Sequence, residues 1–120
     1  MKIVSAILTA LVAIEHIGIM VLEMFFWDHP VGRRVFGMTP EVSAASATLA
    51  ANQGLYNGFL AAGLILGLAS GRRELKLFFL GGGVVSGGFG AATAKGSILI
   101  SQALPAAVAF AAVLLADRKS

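Results

Sequence analysis

Four apolar segments, separated by short charged connections, occupy almost all of this 120-residue chain. They cover about residues 3–26, 45–69, 77–94 and 97–116, and each has the length of a helix that can cross the hydrocarbon core of a bilayer. With 58% hydrophobic and only 12% charged residues, the chain is too apolar for an ordinary soluble domain. The sequence therefore predicts an all-α integral membrane protein with four transmembrane helices in one bundle, a single domain over residues 1–120.

The basic residues lie in the connections and at the chain ends, and their distribution predicts an orientation. Six of them fall on the side of the N-terminus, the 71–76 turn and the C-terminal tail, and three fall on the other side. Because Lys and Arg favour the cytoplasmic side, we expect a multi-pass inner-membrane protein with both termini in the cytoplasm. The six are Lys2, Arg72, Arg73, Lys76, Arg118 and Lys119, and the three are Arg33, Arg34 and Lys95.

Composition also excludes several functions. The net charge of +3 sits at membrane flanks and not on a continuous basic surface, so we expect no nucleic-acid partner. The chain has no Cys, which rules out disulfides, thiol chemistry and cysteine metal sites. A secretory signal peptide is the rival interpretation of the first segment, but Glu15 and His16 interrupt its apolar stretch.

Residues 27–38 mix aromatic, charged and helix-breaking residues, and we expect them to form a loop at the membrane surface. Trp27 suits the headgroup level, where amphipathic rings anchor. Thr39 and Pro40 then give a helix start, with Thr39 as the N-cap and Pro40 at the first helical position. The second long helix should extend from there to about Ala69.

Small residues recur at helical spacing in the second and third apolar segments. Gly54 and Gly58 are four residues apart, and so are Gly83 and Gly87, which allows close approach of neighbouring helices. We expect the Gly54/Gly58 side of the second segment to pack against the glycine-rich third segment. A homo-oligomer through the Gly54/Gly58 or the Gly83/Gly87 face is the alternative use of these residues.

The second apolar segment also carries a polar patch. Asn52, Gln53, Tyr56 and Asn57 fall within an arc of roughly 140° on a helix and so share one face. A segment that only had to cross lipid would gain nothing from amides and a phenol. The patch is therefore expected to face protein, water or a ligand.

Glu15, His16 and Glu23 are the residues of the first segment that are most costly to place in a membrane. On a helix all three can face one interior, and their depths match those of the polar patch in an antiparallel neighbour. Gln102 enters the fourth segment from the same side. These side chains are expected to gather beneath the 27–38 loop.

Three hypotheses compete for this polar set. The first, which we favour, is a pocket that binds a small amphipathic or cationic molecule for transport or sensing, because a carboxylate beneath aromatic residues suits a cation. The second is a buried polar network that only specifies helix packing. The third is an intramembrane acid–base enzyme, resembling an isomerase, acting on a lipophilic substrate, with Glu15, His16 and Glu23 as catalytic candidates. The ligand-binding candidates are Glu15, His16, Glu23, Trp27, Asn52, Gln53, Tyr56, Asn57 and Gln102.

Neither a metal nor an organic cofactor is expected. The Glu-x-x-His spacing of di-iron bundles is absent, and adjacent Glu15 and His16 cannot both chelate one ion comfortably from a regular helix. The glycines of the third segment are interpreted as packing residues and not as a nucleotide loop, since no strand precedes them. The expected partners are the lipid bilayer and a small ligand.

Several motifs carry a resemblance to a known family. They are Glu15-His16, Leu22-Glu23-Met24-Phe25-Phe26-Trp27, Gly32-Arg33-Arg34-Val35-Phe36-Gly37, Leu49-Ala50-Ala51-Asn52-Gln53-Gly54-Leu55-Tyr56-Asn57-Gly58-Phe59-Leu60-Ala61-Ala62-Gly63 and Gly90-Ala91-Ala92-Thr93. With these motifs the chain resembles the small four-helix bacterial and fungal membrane proteins named domain of unknown function 1304. The resemblance covers nearly the whole chain; it implies the four-helix fold and topology and carries no established activity. Likeness to small multidrug-resistance transporters and to the sterol-isomerase-like fold is limited to architecture and residue types.

Overall fold

The computed structural model describes residues 2–93 and 96–116, and the side chains of residues 2–86, 89 and 103–116. The described chain forms helices joined by short turns, which confirms the all-α class. Lys95, Arg118 and Lys119, the side chain of Gln102 and the surroundings of Gly87 lie outside the described residues. The helices are α1 (Lys2–Phe25), α2 (Pro30–Phe36), α3 (Pro40–Ser70), α4 (Arg73–Thr93) and α5 (Gly96–Ala116).

The predicted loop over residues 27–38 is wrong in part, because it contains the seven-residue helix α2. His29 caps its start: the Val31 N–H donates to His29 Nδ1 at 3.2 Å, and Pro30 takes the first helical position. Gly37 ends it in the left-handed conformation with φ at 64°, which glycine adopts without strain. Cap, Pro and terminal Gly together favour a helix where the composition alone suggested irregular backbone.

The predicted start of the second long helix is confirmed. Helix α3 begins at Pro40, and the Val42 N–H donates to the Thr39 hydroxyl at 3.2 Å, as expected of an N-cap. The third long helix begins earlier than predicted, at Arg73 and not at residue 77. Glu74 lies in the first turn of α4, where its charge complements the helix dipole, so the charged residues of the turn are already helical.

The chain divides into two compact units. The first unit comprises Met1–Glu15 and Leu60–Ser120, and the second comprises His16–Phe59. The first unit holds an apolar core in which α4 and α5 pack together. Three of its seven residues are alanines, which let the helix backbones come close. The core residues are Val12, Ala13, Leu64, Leu80, Ala106, Ala109 and Val113.

Glycines in the first unit mark close contacts between helices. A Cβ added at Gly63 would overlap the Phe79 ring, and one at Gly83 would lie 3.3 Å from the Ala106 Cβ. Gly83 of α4 thus faces α5 within the same chain. Its predicted role in close helix packing is confirmed, with α5 as the neighbour.

The second unit uses the Gly54/Gly58 face of α3 differently from the prediction. A Cβ at Gly54 would lie 2.6 Å from Met24 Cγ, and one at Gly58 would lie 2.7 Å from Met20 Sδ. Both methionines belong to α1, so the expectation that this face packs against the third apolar segment is wrong. Unbranched methionine side chains fill the space that the two missing Cβ atoms leave.

Helix α1 is long and apolar enough to cross a membrane, with 24 residues and a mean hydropathy of 2.1. Its most apolar 18-residue stretch is only 28% buried. Within α5, residues Ala103–Ala116 form a shorter apolar stretch. Among the described residues, α1 is the one helix that meets both length and hydropathy requirements for a span.

Candidate functional site

A groove of about 440 Å³ lies in the first unit, with walls from the N-terminal half of α1 and the middle of α5. Glu15 is the one ionisable side chain among the residues that line it, and it is half-buried. Leu11, Leu104 and Val108 are exposed, so the groove is open along one side. The other lining residues are Leu8, Val12 and Pro105.

Pro105 interrupts the backbone hydrogen bonding of α5 where this helix forms the groove wall. Proline has no backbone N–H, so the carbonyl of Ser101, four residues earlier in α5, lacks its helical donor. The Pro105 ring itself lines the groove. A carboxyl group on one wall and an apolar surface over most of the remainder suit a ligand with one polar or cationic end and an apolar body.

In the second unit, Asn57 and Glu23 are brought together. Asn57 Nδ2 donates to Glu23 Oε1 at 2.5 Å and also lies 3.2 Å from the carbonyl oxygen of Gln53. The bond joins α1 to α3 on the side where Gly54 and Gly58 admit the α1 methionines. A hydrogen bond between side chains of two helices has directional partners and so fixes the two helices in register.

The remaining predicted site residues of the second unit differ in how far they are buried. His16 is buried at 2% exposure, whereas Asn52, Gln53 and Tyr56 are exposed on α3. Asn57 is thus the member of the polar patch that turns toward α1, because it lies beside the Gly54/Gly58 face. The spacing of the patch permits this split, since its arc of roughly 140° is wider than one helix contact.

A polar cluster near the ends of α1 and α3 was missed by the sequence analysis. Asp28 Oδ1 accepts from the Ser43 hydroxyl at 2.6 Å and from Arg33 Nη1 at 2.9 Å. Ser43 is fully buried, although serines occur widely on exposed surfaces. Arg33 was counted only as a membrane-flanking charge. Its position five residues after an acidic residue is the one signal in the sequence that could have indicated this role.

Trp27 is held beside this cluster. Its Nε1 donates to the Ser46 hydroxyl at 2.9 Å, and its ring lies 4.7 Å from that of Phe36 between centroids. Ser46 in turn donates to the Val42 carbonyl at 2.6 Å. The Trp27 indole therefore ties the end of α1 to α3, and it is a structural tie in addition to any interfacial role.

The described residues contain no group of three His, Asp or Glu side chains arranged to hold one metal ion. Glu23 is instead engaged by the Asn57 amide, and Asp28 by Arg33 and Ser43. What the described side chains offer is one carboxyl in an apolar groove and two sets of hydrogen bonds that join helices.

The family described as "Protein of unknown function (DUF1304)" matches residues 10–114. The chain belongs to this family. The matched range includes the groove residue Glu15, the Glu23–Asn57 bond and the Asp28 cluster. The chain is similar to the "Uncharacterized protein YpaA" of Lactococcus lactis subsp. lactis (strain IL1403), with 35% identity over 106 residues, which cover 85% of this chain and 89% of the relative. No solved structure matches the chain.

Proposed function

We propose that the protein spans the membrane with its four long helices and binds a small amphipathic cation in the Glu15 groove. The orientation, with both termini in the cytoplasm of an inner-membrane protein, is the one that the basic residues favour. The observation that carries the binding proposal is the groove itself, with its single carboxyl among apolar side chains. Transport and sensing are the uses such a site would have.

The membrane assignment is supported by where the apolar side chains lie. A core helix of a soluble protein would be mostly buried, whereas the most apolar part of α1 is only 28% buried. Large hydrophobic side chains are also exposed on the other long helices, far beyond what a soluble monomer tolerates. Examples are Leu49 and Phe59 on α3, Phe78 and Val85 on α4, and Leu104 and Val108 on α5.

Extraction of membranes with alkaline carbonate tests this assignment. The chain should stay in the pellet, because integral proteins are held by buried apolar surface and not by charge. Release into the supernatant would contradict the proposal.

The groove has the size and lining of a small-molecule site. Pockets of a few hundred Å³ with mostly apolar walls and few polar groups are typical of such sites. Leu8, Leu11 and Val108 form an apolar surface in the groove, and the Glu15 carboxyl is the one lining group that favours a cation. In a low-dielectric surrounding, an ion pair between that carboxylate and a bound cation is much stronger than in water.

Two ions of matched shape and opposite charge, tetraphenylphosphonium and tetraphenylborate, test the binding site on detergent-solubilised protein. Glu15→Gln should weaken binding of the cation at least about tenfold, the effect of losing roughly 1.4 kcal/mol. Binding of the anion should not weaken. Glu41→Gln, which removes an exposed carboxylate at the start of α3, is the matched control. Equal cation affinity in Glu15→Gln and the parent would refute the site.

A structural role is the second candidate, and it applies to the Glu23–Asn57 pair. The 2.5 Å bond between α1 and α3 supports it. Asn57→Leu should lower the free energy of unfolding by about 2 kcal/mol, since the half-buried carboxyl loses its donor. Gln53→Leu, at an exposed site one turn earlier, is the control. If Asn57→Leu left thermal stability unchanged and abolished cation binding, the pair would belong to the ligand site.

A further inference from the structure

One face of α3 is exposed along residues 42–59, all within the second unit. Its members are spaced alternately by three and four residues, and all are exposed. The large ones are more than half exposed, at 71% for Leu49 and 62% for both Tyr56 and Phe59. We name this face the α3 stripe; it consists of Val42, Ala45, Leu49, Asn52, Tyr56 and Phe59.

Alternating steps of three and four residues define the seam along which two helices pack side by side. On a helix the six residues of the α3 stripe fall within an arc of about 100°. The Gly54/Gly58 face of α3 points away from this arc and is already filled by α1 methionines. The stripe is therefore a second, separate packing surface of the same helix.

Asn52 is the residue of the α3 stripe that carries an amide side chain. It lies 12 residues after the start of α3 and 18 before its end, or about 18 and 27 Å along the axis. In a spanning helix that depth is inside the hydrocarbon, where an amide without a hydrogen-bond partner is costly. The Asn52 side chain makes no hydrogen bond to the residues that the structure describes, and it is exposed.

We propose that the α3 stripe packs against the same stripe of a second copy of this chain, in parallel, with the two Asn52 amides hydrogen-bonded across the dimer axis. An amide is both donor and acceptor, so two identical amides related by a two-fold axis satisfy each other. Copies inserted in one membrane with one orientation meet with α3 parallel. Asn and Gln side chains are known to join membrane helices in this way.

The position of Asn52 selects the parallel arrangement over the antiparallel one. In a parallel pair each stripe residue faces its own counterpart, so Asn52 meets Asn52 and Leu49 meets Leu49. In an antiparallel pair centred on the same six residues, Val42 would face Phe59 and Asn52 would face Leu49. That arrangement would bury both amides against leucine, at the cost of two unpaired polar groups.

Disulfide formation between single cysteines tests the arrangement, because the native chain has no Cys to remove. Ala45→Cys in the full-length protein, reconstituted in liposomes, should give a covalent dimer under mild oxidation. Ala44→Cys is the matched control: the neighbouring alanine is also exposed but points about 100° away. We expect at least a fivefold higher dimer yield for Ala45→Cys.

Equal yields of covalent dimer from Ala45→Cys and Ala44→Cys would overturn the proposal. Detection of the protein only as a monomer by native mass spectrometry would also overturn it. If a mixture of Ala45→Cys and Tyr56→Cys chains gave mainly the mixed dimer, the helices would be antiparallel and the Asn52 pairing would be wrong. These outcomes do not depend on the Glu15 groove, so they leave the binding proposal untouched.

The strength of the dimer tests the Asn52 pairing without any oxidation step. The affinity of the dimer in liposomes, measured by energy transfer between labelled copies, should weaken about tenfold in Asn52→Ala, since two interhelical hydrogen bonds are lost. Gln53→Ala removes a neighbouring exposed amide outside the stripe and should have little effect. Equal dissociation constants for the parent and Asn52→Ala would contradict the amide pairing.

Discussion

Different kinds of contact stabilise each of the two compact units from within. In the first unit, Leu64, Leu80 and Val113 are fully buried in an apolar core. In the second unit, the hydrogen bonds of Asp28 with Ser43 and of Glu23 with Asn57 join residues 15 and 34 positions apart. The buried hydrophobic cluster lies wholly in the first unit. The first unit is thus stabilised by packing of apolar side chains, and the second by hydrogen bonds between particular pairs of residues.

Under the proposed membrane assignment this difference matters, because lipid tails are as apolar as leucine. Apolar packing between membrane helices then gains only dispersion and shape, whereas a hydrogen bond between helices has directional partners. The first unit should therefore tolerate apolar exchanges that preserve volume. The stability of the second unit should depend on the identity of a few residues, such as Trp27, Asp28 and Asn57, because an apolar replacement would remove the hydrogen-bond donor or acceptor that each one supplies.

The largest expected effect is on the apolar core of the first unit. Leu64→Ala removes a fully buried side chain and should lower the free energy of unfolding in detergent by about 3 kcal/mol through lost contacts and the cavity left behind. Leu66→Ala, two residues further along α3 and 57% exposed, is the control and should change stability by far less. Thermal unfolding followed by circular dichroism gives both values. Equal losses would mean that the core is not where the contacts place it.

An intermediate effect is expected where glycine admits α1 in the second unit. Gly54→Ala places a Cβ 2.6 Å from Met24 Cγ and 3.1 Å from the Met20 carbonyl oxygen. Overpacking of this kind should cost about 2 kcal/mol in the same assay. Gly18→Ala is the matched control, since a Cβ there meets nothing within 4 Å, and its higher helix propensity should stabilise α1 slightly. A Gly54→Ala variant as stable as the parent would contradict the close contact.

The smallest expected effect isolates one hydrogen bond of the second unit. Trp27→Phe keeps an aromatic ring near Phe36 but removes the indole N–H that donates to Ser46. The loss should be about 1 kcal/mol, and combining it with Ser46→Ala should cost less than the sum of the two single changes. Strict additivity in this double-mutant cycle would show that the indole and the hydroxyl do not interact.

The sequence was sufficient for the long helices because apolar length and end signals are local properties. Thr39 and Pro40 mark the start of α3 without reference to any other segment. Helix α2 was missed because seven residues are too few for a periodic apolar pattern, and its cap is a histidine, an uncommon cap beside Ser, Thr, Asp and Asn.

The helix partners could not be derived in the same way. The spacing of Gly54 and Gly58 predicts a close helix contact but does not identify the neighbouring helix. Methionines of α1 fit against these glycines as well as a glycine-rich helix would. The groove needed α5 as its second wall, and nothing in the spacing of Leu104 and Val108 relates them to Glu15. Matching depth suggested that the polar patch of α3 faces the ionisable residues of α1 as a group, but it did not single out Asn57 as the neighbour of Glu23.

Pro105 has a mechanical consequence for the groove. With one backbone hydrogen bond missing, α5 bends more easily at this point than along the rest of its length. The same residue forms part of the groove wall, while Ala106 and Ala109 beside it are anchored in the core. If the groove binds a ligand as proposed, its wall is most compliant where the ligand would press on it, so ligands of somewhat different girth would be accommodated by bending a helix and without repacking the core.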